Sequence, residues 1–170
     1  MLRYCFALSA VVATLPSAAA EMTLKIELPR MSVAEYHRPY VATWIEKAGE
    51  QSFAGNVAVW YDVKKRDNEG AKWLKDLRQW WRKSGRELQS IPDGVSGATR
   101  SAGDQTLNLL ESKAVNGLAP GAYEVVVEAA RENGGREVLR LPFEWPLRKV
   151  ASTQVHGEGE LGGAALETKP

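Results

Sequence analysis

The segment GAYEVVVEAARENGGREVLRLPFEW, residues 121–145, decides the fold because apolar and polar side chains alternate on both sides of a short turn. An alternation of period two is typical of half-buried antiparallel strands. Residues 132–136, ENGGR, contain adjacent glycines and predict the turn of a β-hairpin. The segment therefore predicts two neighbouring strands of an antiparallel sheet.

Three earlier stretches alternate in the same way: TLKIELP (23–29), YVATWIEKA (40–48) and GNVAVWYDV (55–63). In the last of them the pattern predicts Val57, Val59, Tyr61 and Val63 on one face. These repeated patterns predict a mainly β fold, an immunoglobulin- or fibronectin-III-like antiparallel β-sandwich.

Tyr123 follows a Leu and a glycine-bearing turn and opens a predicted strand. This arrangement is typical of the tyrosine corner of immunoglobulin-like sandwiches, whose hydroxyl bonds the backbone a few residues upstream. A tyrosine that only packs at a strand start is the alternative. The corner, if formed, supports the sandwich prediction.

Residues 71–85, AKWLKDLRQWWRKSG, break the strand pattern. Trp73, Leu77, Trp80 and Trp81 recur at helical spacing, which predicts an amphipathic helix over about 70–84, inserted between strands. Two interpretations of its Lys/Arg face stay open. The face is solvated while the Trp face packs on the sandwich, or it docks on an anionic membrane or a redox partner.

The N-terminal segment predicts export, and the C-terminal segment predicts disorder. Residues 1–20 have a basic start, an apolar stretch and a small-residue end, which predicts a signal peptide cleaved before Glu21 and a periplasmic location. We assign 21–150 to the sandwich domain. Residues 151–170 are glycine-rich and lack aromatic side chains, and we predict a disordered tail there.

Removal of the signal peptide changes the charge and the thiol content. The 22 Lys and Arg lose Arg3 and become 21, equal to the 21 Asp and Glu, so the net charge is near zero. This balance argues against nucleic acid as a partner. The one cysteine, Cys5, leaves too, so disulfides, Cys-bound metals and a Cys nucleophile are excluded from the mature domain.

Residues 86–104 show no strand or helix pattern, and loops of this length in compact domains are often functional. Their centre reads IPDGVSGATR, residues 91–100, in which Pro92, Asp93, Gly94 and Gly97 are turn formers. By chemistry alone this stretch is a surface loop.

The same stretch carries a resemblance. DGVSGAT, residues 93–99, is similar to the D-x-x-[ST]-G-A-[ST] signature at which an FAD:protein FMN transferase attaches flavin to subunits of sodium-pumping and related redox complexes. Chance would produce the pattern about once in a thousand chains of this length. The resemblance implies FMN in phosphoester linkage to Thr99, with Asp93, Ser96, Gly97 and Ala98 as the recognition frame.

A second resemblance covers most of the predicted domain. The stretches YHRPYVATWIE (36–46), KWLKDLRQWWRKSG (72–85), DGVSGATRSAG (93–103), GAYEVVVEAARENGGRE (121–137) and LPFEWP (141–146) together resemble the periplasmic domain-of-unknown-function family 2271. That family is associated with the flavin transferase and with PepSY-type membrane reductases.

The resemblance implies an electron carrier and not an enzyme with its own substrate. The transferase and a PepSY-type reductase or another periplasmic redox protein would be its partners, and iron or another extracytoplasmic compound the acceptor. Arg100 is expected to pair with the phosphodiester anion. Trp80 and Trp81 are expected to stack on the isoalloxazine ring.

Other readings of these residues fare less well. Ser96 in GVSGA lacks the second glycine of the G-x-S-x-G nucleophile elbow, which disfavours a hydrolase. His37 has no second histidine at ligand spacing, which disfavours a metal site; it orients the flavin or lies at a strand start. The alternative that remains is an immunoglobulin-like periplasmic binding module without cofactor, and Thr99 alone separates the two.

Overall fold

The computed structural model describes residues 19–170, so the predicted signal peptide lies outside the described residues except for its last two positions. The described chain forms nine strands and two short α-helices. The strands are β1 (Glu21–Leu28), β2 (Tyr40–Lys47), β3 (Ser52–Tyr61), β4 (Ser96–Ala98), β5 (Gly103–Asn108), β6 (Gly121–Ala130), β7 (Arg136–Trp145), β8 (Ala151–His156) and β9 (Gly163–Lys169). The helices are α1 (Arg78–Lys83) and α2 (Lys113–Asn116), and 3-10 segments cover Arg66–Asp76, Gly85–Glu87 and Leu109–Glu111.

The strands form two sheets that face each other. One has the order β5-β1-β9-β8 and the other the order β4-β3-β2-β6-β7. An apolar interior fills the space between them, with contributions from β1, β9 and the inner faces of β2, β6 and β7. The predicted mainly β sandwich is confirmed. One pair departs from the expected antiparallel pattern, because β3 and β4 run parallel.

The segment 121–145 forms the predicted hairpin. β6 and β7 pair from Gly121↔Trp145 to Ala130↔Arg136. The Arg131 N–H donates to the Gly135 carbonyl and the Gly134 N–H to the Arg131 carbonyl, which closes the turn. The tyrosine corner is also confirmed, because the Tyr123 hydroxyl donates to the Ala119 carbonyl at 2.8 Å.

The prediction of a disordered tail is wrong. Residues 151–170 contain β8 and β9, and β9 is an inner strand between β1 and β8. It runs from Gly163, opposite Glu27 of β1, to Lys169, opposite Glu21. Leu166 and Ala164 are buried in the interior. The prediction failed because small residues and glycines make the alternation of apolar and polar side chains weak in this segment. The strand forms because β1 and β8 pair with it on both sides and satisfy its backbone hydrogen-bonding groups.

The alternation predicted for β3 is also wrong at its start. The partner of Thr43 is Ala58 and that of Trp44 is Asn56, so Val57 is an extra residue in the ladder. Such a β-bulge shifts the alternation by one residue. Val57 therefore faces the interior, while Val59 and Tyr61 lie on the outer face of the sheet. Val63 lies beyond the end of the strand.

The inserted helix is shorter and more irregular than predicted. A 3-10 segment over Arg66–Asp76 is interrupted near its start, where Asp67 and Asn68 have positive φ, and α1 follows after a break at Leu77. The apolar residues of the insertion, Leu74, Leu77 and Trp80, pack on the outer face of the five-stranded sheet and form a buried cluster separate from the interior. We call this cluster the outer layer. Within residues 19–170 no helix is long and apolar enough to cross a membrane.

Two fully buried carboxylates lie in or beside the outer layer. Glu128 of β6 accepts hydrogen bonds from the backbone N–H groups of Gln79 (3.1 Å) and Trp80 (2.8 Å), in the first turn of α1. Burial nevertheless raises the pKa of Glu128. This carboxylate caps a helix that lacks a side-chain cap of its own.

Glu46 of β2 is the second carboxylate. It accepts from the Trp44 indole and from Arg140, each at 2.8 Å. Burial would raise the pKa of Glu46, but these two donors and the charges of Arg140 and Lys83 lower it below its ordinary value. Arg140 also donates to Gln79 at 3.2 Å, which links the sheet to α1.

The loop predicted over 86–104 is only partly irregular. Its first residues belong to the 3-10 segment Gly85–Glu87, and β5 begins at Gly103. In its middle, β4 adds a short strand to the edge of the five-stranded sheet beside β3. The prediction missed β4 because three small residues carry no measurable periodicity.

Candidate functional site

The DGVSGAT segment is held by backbone bonds on both sides of β4. At the start of the strand, the N–H groups of Val95 and Ser96 both donate to the Pro92 carbonyl at 3.1 Å. Gly94 has a φ of 81°, a conformation that glycine adopts without strain. After the strand, the Thr99 N–H donates to the Tyr61 carbonyl at 3.2 Å. Thr99 is therefore fixed at the end of the sheet edge.

The small residues of the motif have a structural reason as well. A Cβ added at Gly97 would lie 3.0 Å from Cδ1 of Trp60, so glycine allows β4 to approach that indole closely. Ser96 and Gly97 are half-buried, whereas Asp93 and Ala98 are exposed. The motif thus presents one backbone edge to β3 and its loop residues to solvent.

Arg100 leaves the strand in the direction of Trp60. Its guanidinium carbon lies 5.2 Å from the centre of the Trp60 ring, a cation–π contact. The side chain is exposed and one residue from Thr99. The Arg100 side chain thus packs on Trp60 in this structure. Because the side chain is flexible, it can also turn toward an anion at the neighbouring Thr99.

Thr99 lies in the wall of a cleft of about 510 Å³. Besides Thr99, four parts of the chain build this cleft: the segment that leads into β2, the residues after β3, the 3-10 segment, and the end of β6 with the turn that follows it. The other lining residues are Tyr36, His37, Arg38, Tyr40, Asp62, Lys65, Trp73, Asp76, Ala130, Arg131 and Glu132. Aromatic and charged side chains thus meet at the end of the five-stranded sheet.

Polar contacts fix part of this wall. The Thr99 hydroxyl donates to Asp62 Oδ1 over a long 3.5 Å, and Lys65 Nζ lies 3.3 Å from Asp62 Oδ2. In the turn after β6, Arg131 makes a bidentate ion pair with Glu160 at 2.9 and 3.1 Å. Its partner Glu160 lies just before β9, so the cleft is tied to the second sheet.

Tyr40 and His37 complete the wall. Burial, with the negative charges of Asp62 and Glu132, raises the pKa of Tyr40 to about 12, so the phenol is neutral near pH 7. His37 Nδ1 lies 3.6 Å from Glu132 Oε2. The structure thus places His37 in the same cleft as Thr99, 62 positions along the chain.

The two tryptophans predicted to stack on a flavin lie elsewhere. Trp80 has no exposed surface, and its indole N–H donates to Asn56 Oδ1 at 2.7 Å in the outer layer. Trp81 is half-buried in a separate hollow beside Gly85 and Ile91. Neither side chain lines the Thr99 cleft.

Two aromatic residues that the sequence reasoning did not select lie there instead. Trp73 is 46% exposed and Tyr36 is 40% exposed, and both line the cleft. Tyr36 adjoins His37 in the YHRPY stretch, so its proximity to a candidate residue was the available signal. Trp73 gave no signal that set it apart from the other helix tryptophans.

Within residues 19–170, no group of three or more His, Cys, Asp or Glu side chains is arranged to hold a metal ion. The cleft itself offers a hydroxyl beside a carboxylate, with cations and exposed aromatic rings around them.

Comparison with known proteins gives a family. The family model for predicted periplasmic proteins, DUF2271, matches residues 21–163, which is most of the chain. No curated protein and no solved structure matches the chain. The description of the family gives a location and no activity. The chain therefore belongs to the DUF2271 family of periplasmic proteins.

Proposed function

We propose that this protein is a periplasmic electron carrier that receives FMN covalently on Thr99. One observation carries the proposal: of the seven residues DGVSGAT, Thr99 alone lines the cleft. The residue that the signature marks for attachment is thus the one whose side chain adjoins a space for a ligand. The protein holds and positions the flavin, which supplies one- and two-electron chemistry when bound.

The residues of the cleft fit such a group. A volume of about 510 Å³ is within the range of small-molecule pockets, ~300–1,000 Å³. Trp73 and Tyr36 offer aromatic surface to a flat ring. Lys65 and Arg38 offer cations to a phosphodiester.

The attachment reaction uses the Thr99 hydroxyl as nucleophile. Its oxygen bonds to the phosphorus of the FMN half of FAD, the bond from that phosphorus to the AMP half breaks, and AMP leaves. The hydroxyl proton needs an acceptor, and Asp62 Oδ1, 3.5 Å from Thr99 Oγ1, is in position to take it. An FAD:protein FMN transferase would hold the FAD, and the exposed Asp93 and Ala98 lie where such an enzyme can contact the loop.

The partners follow from the same proposal. A PepSY-type membrane reductase or another periplasmic redox protein would supply electrons, and iron or another extracytoplasmic compound would accept them. The protein would serve as a substrate of the transferase and as a carrier, without a substrate reaction of its own.

A binding module without cofactor is the second candidate. The cleft with two exposed aromatic rings would also suit a small ligand bound without a covalent bond. The confirmed tyrosine corner is shared with many binding domains and favours neither function.

Intact-mass measurement tests the proposal. The mature protein is co-expressed with an FMN transferase that is active on a known acceptor, beside Thr99→Val and Thr99→Ser. We expect a mass gain of FMN minus one water in the native protein and in Thr99→Ser, which keeps a hydroxyl, and none in Thr99→Val. If none of the three proteins gains mass over the value calculated from its own sequence, the binding module is left as the function.

A further inference from the structure

We propose that the flavin ring carried by Thr99 docks in the cleft against Trp73 and Tyr36, and does not swing free in solvent. This inference rests on the proposed function, because it assigns a resting place to the group attached there. It names Trp73 and Tyr36 as positioning residues, neither of which belongs to the attachment motif.

Exposed aromatic surface is concentrated at this cleft. Among residues 19–170, the exposed large apolar side chains are Val33, Tyr36, Val63, Trp73 and Val150. The two aromatic members of this set both line the same cleft as Thr99. Large aromatic rings are normally buried or partnered, and a pair of exposed rings beside an attachment site is suited to a planar ligand.

Neighbouring buried residues hold the backbone of Trp73 in place. Leu74 and Leu77, which follow it, are buried against the five-stranded sheet, so the backbone that carries the indole is anchored. Lys75 Nζ lies 5.9 Å from the centre of the indole ring, on one of its faces. The indole is 46% exposed, which leaves surface for a second flat ring.

The attachment point is firm too. The backbone bond from Thr99 to Tyr61 fixes the start of the tether at the cleft wall. A ribityl-phosphate chain that begins at Thr99 Oγ1 therefore starts at the wall of the cleft that Trp73 and Tyr36 also line. Tethering also raises the effective concentration of the ring at this site far above that of a free ligand.

Charges around the cleft suit this placement. Lys65 faces Thr99 through Asp62 and can pair with the new phosphodiester in place of that carboxylate. Arg131 is engaged by the buried Glu160, and His37 lies beside Glu132. The cleft therefore has a cation for the phosphodiester, and the aromatic residues are left for the ring.

The test uses the flavinylated protein obtained by co-expression with the transferase. The fluorescence emission per flavin and its anisotropy are measured for the native protein, for Trp73→Leu and Tyr36→Leu, and for Trp81→Leu as a control from the same insertion outside the cleft. Intact mass confirms one FMN per chain in each sample, and thermal unfolding confirms the fold. Proteolytic digestion of each sample gives the value for a free ring.

We expect low emission and high anisotropy in the native protein, because a stacked indole quenches flavin emission, with a several-fold rise in emission on digestion. Trp73→Leu should raise emission several-fold toward the digested value, Tyr36→Leu by less, and Trp81→Leu should match the native protein. A full mass gain with native emission and anisotropy equal to the digested sample would overturn docking while attachment at Thr99 stands. Absence of the mass gain would overturn the attachment and the docking together.

Discussion

Two regions of the molecule are buried: the interior, which lies between the two sheets, and the outer layer, which lies under the helical insertion. Different kinds of interaction hold them together. The interior is a cluster of aliphatic and aromatic side chains from both sheets. In the outer layer, Trp44, Trp80 and Val126 pack beside the buried carboxylates of Glu46 and Glu128. Apolar burial is non-directional, whereas the carboxylate bonds are directional.

The difference explains why the cleft has a defined shape. The interior holds the two sheets together and tolerates small changes of packing. The outer layer must also fix the position of the insertion that carries Trp73 to the cleft. Glu128 at the start of α1 and Arg140 on Gln79 do this with bonds that have one correct geometry.

Removal of the Glu128 cap should destabilise the outer layer more than the interior, and this is the largest effect that we expect. Glu128→Gln keeps one acceptor oxygen for two N–H donors, so one backbone N–H of α1 is left unsatisfied. We expect a loss of about 1–3 kcal/mol in the free energy of unfolding. Urea unfolding gives this value, and hydrogen exchange at Gln79 and Trp80 should show faster opening of the insertion than of β6. A uniform loss across both regions would mean that the cap holds the whole domain and not the insertion alone.

In the interior we expect a substitution at one buried polar side chain to raise the free energy of unfolding. Thr43 lies between Val41 and Ile45 on the inner face of β2, and its hydroxyl is buried without a hydrogen-bond partner. Thr43→Val replaces the hydroxyl with a methyl group of similar size, so we expect stability to rise by about 1 kcal/mol. Thr153→Val, at a half-buried site on the edge strand β8, is the matched control. A loss of stability in Thr43→Val would show that its hydroxyl binds an ordered water.

The smallest expected effect is a pH dependence of the outer layer. The folded pKa of Glu46 is lower than its ordinary value of 4.5, so the unfolded chain binds more protons near that pH. Its contribution to stability is present above pH 4.5 and is lost as the pH falls below that value. Glu46→Gln should therefore have a flatter melting temperature between about pH 5 and 3 than the native protein. Parallel curves for the two proteins would assign the acid sensitivity to other carboxylates.

Local patterns were sufficient for much of the sandwich. The hairpin over 121–145 and the tyrosine corner depend on residues close in the chain, and both were predicted. β9 was missed because its stability comes from β1, more than 130 positions away, and from β8. The edge strand β4 likewise depends on its partner β3 and not on its own composition.

The position of Trp80 outside the Thr99 cleft has a geometric cause. In a continuous α-helix, Trp73 and Trp80 would lie on one face, since seven residues make nearly two turns. The chain instead forms a 3-10 segment to Asp76 and breaks at Leu77 before α1 begins. The tighter winding of the 3-10 segment and the break change the direction of the later side chains. Trp80 therefore enters the outer layer while Trp73 faces the cleft.

The pairing of β1 with β9 has a practical consequence for electrochemistry. Glu21 and Lys169 are paired at one end of the sandwich, whereas Gly163, Glu160 and the β6–β7 turn lie at the other, with the Thr99 cleft. A surface linker placed after Lys169 would orient every molecule on an electrode with its cleft toward the solution. For the flavinylated carrier proposed above, soluble redox proteins could then be added one at a time, and the current would test whether any of them exchanges electrons through that face.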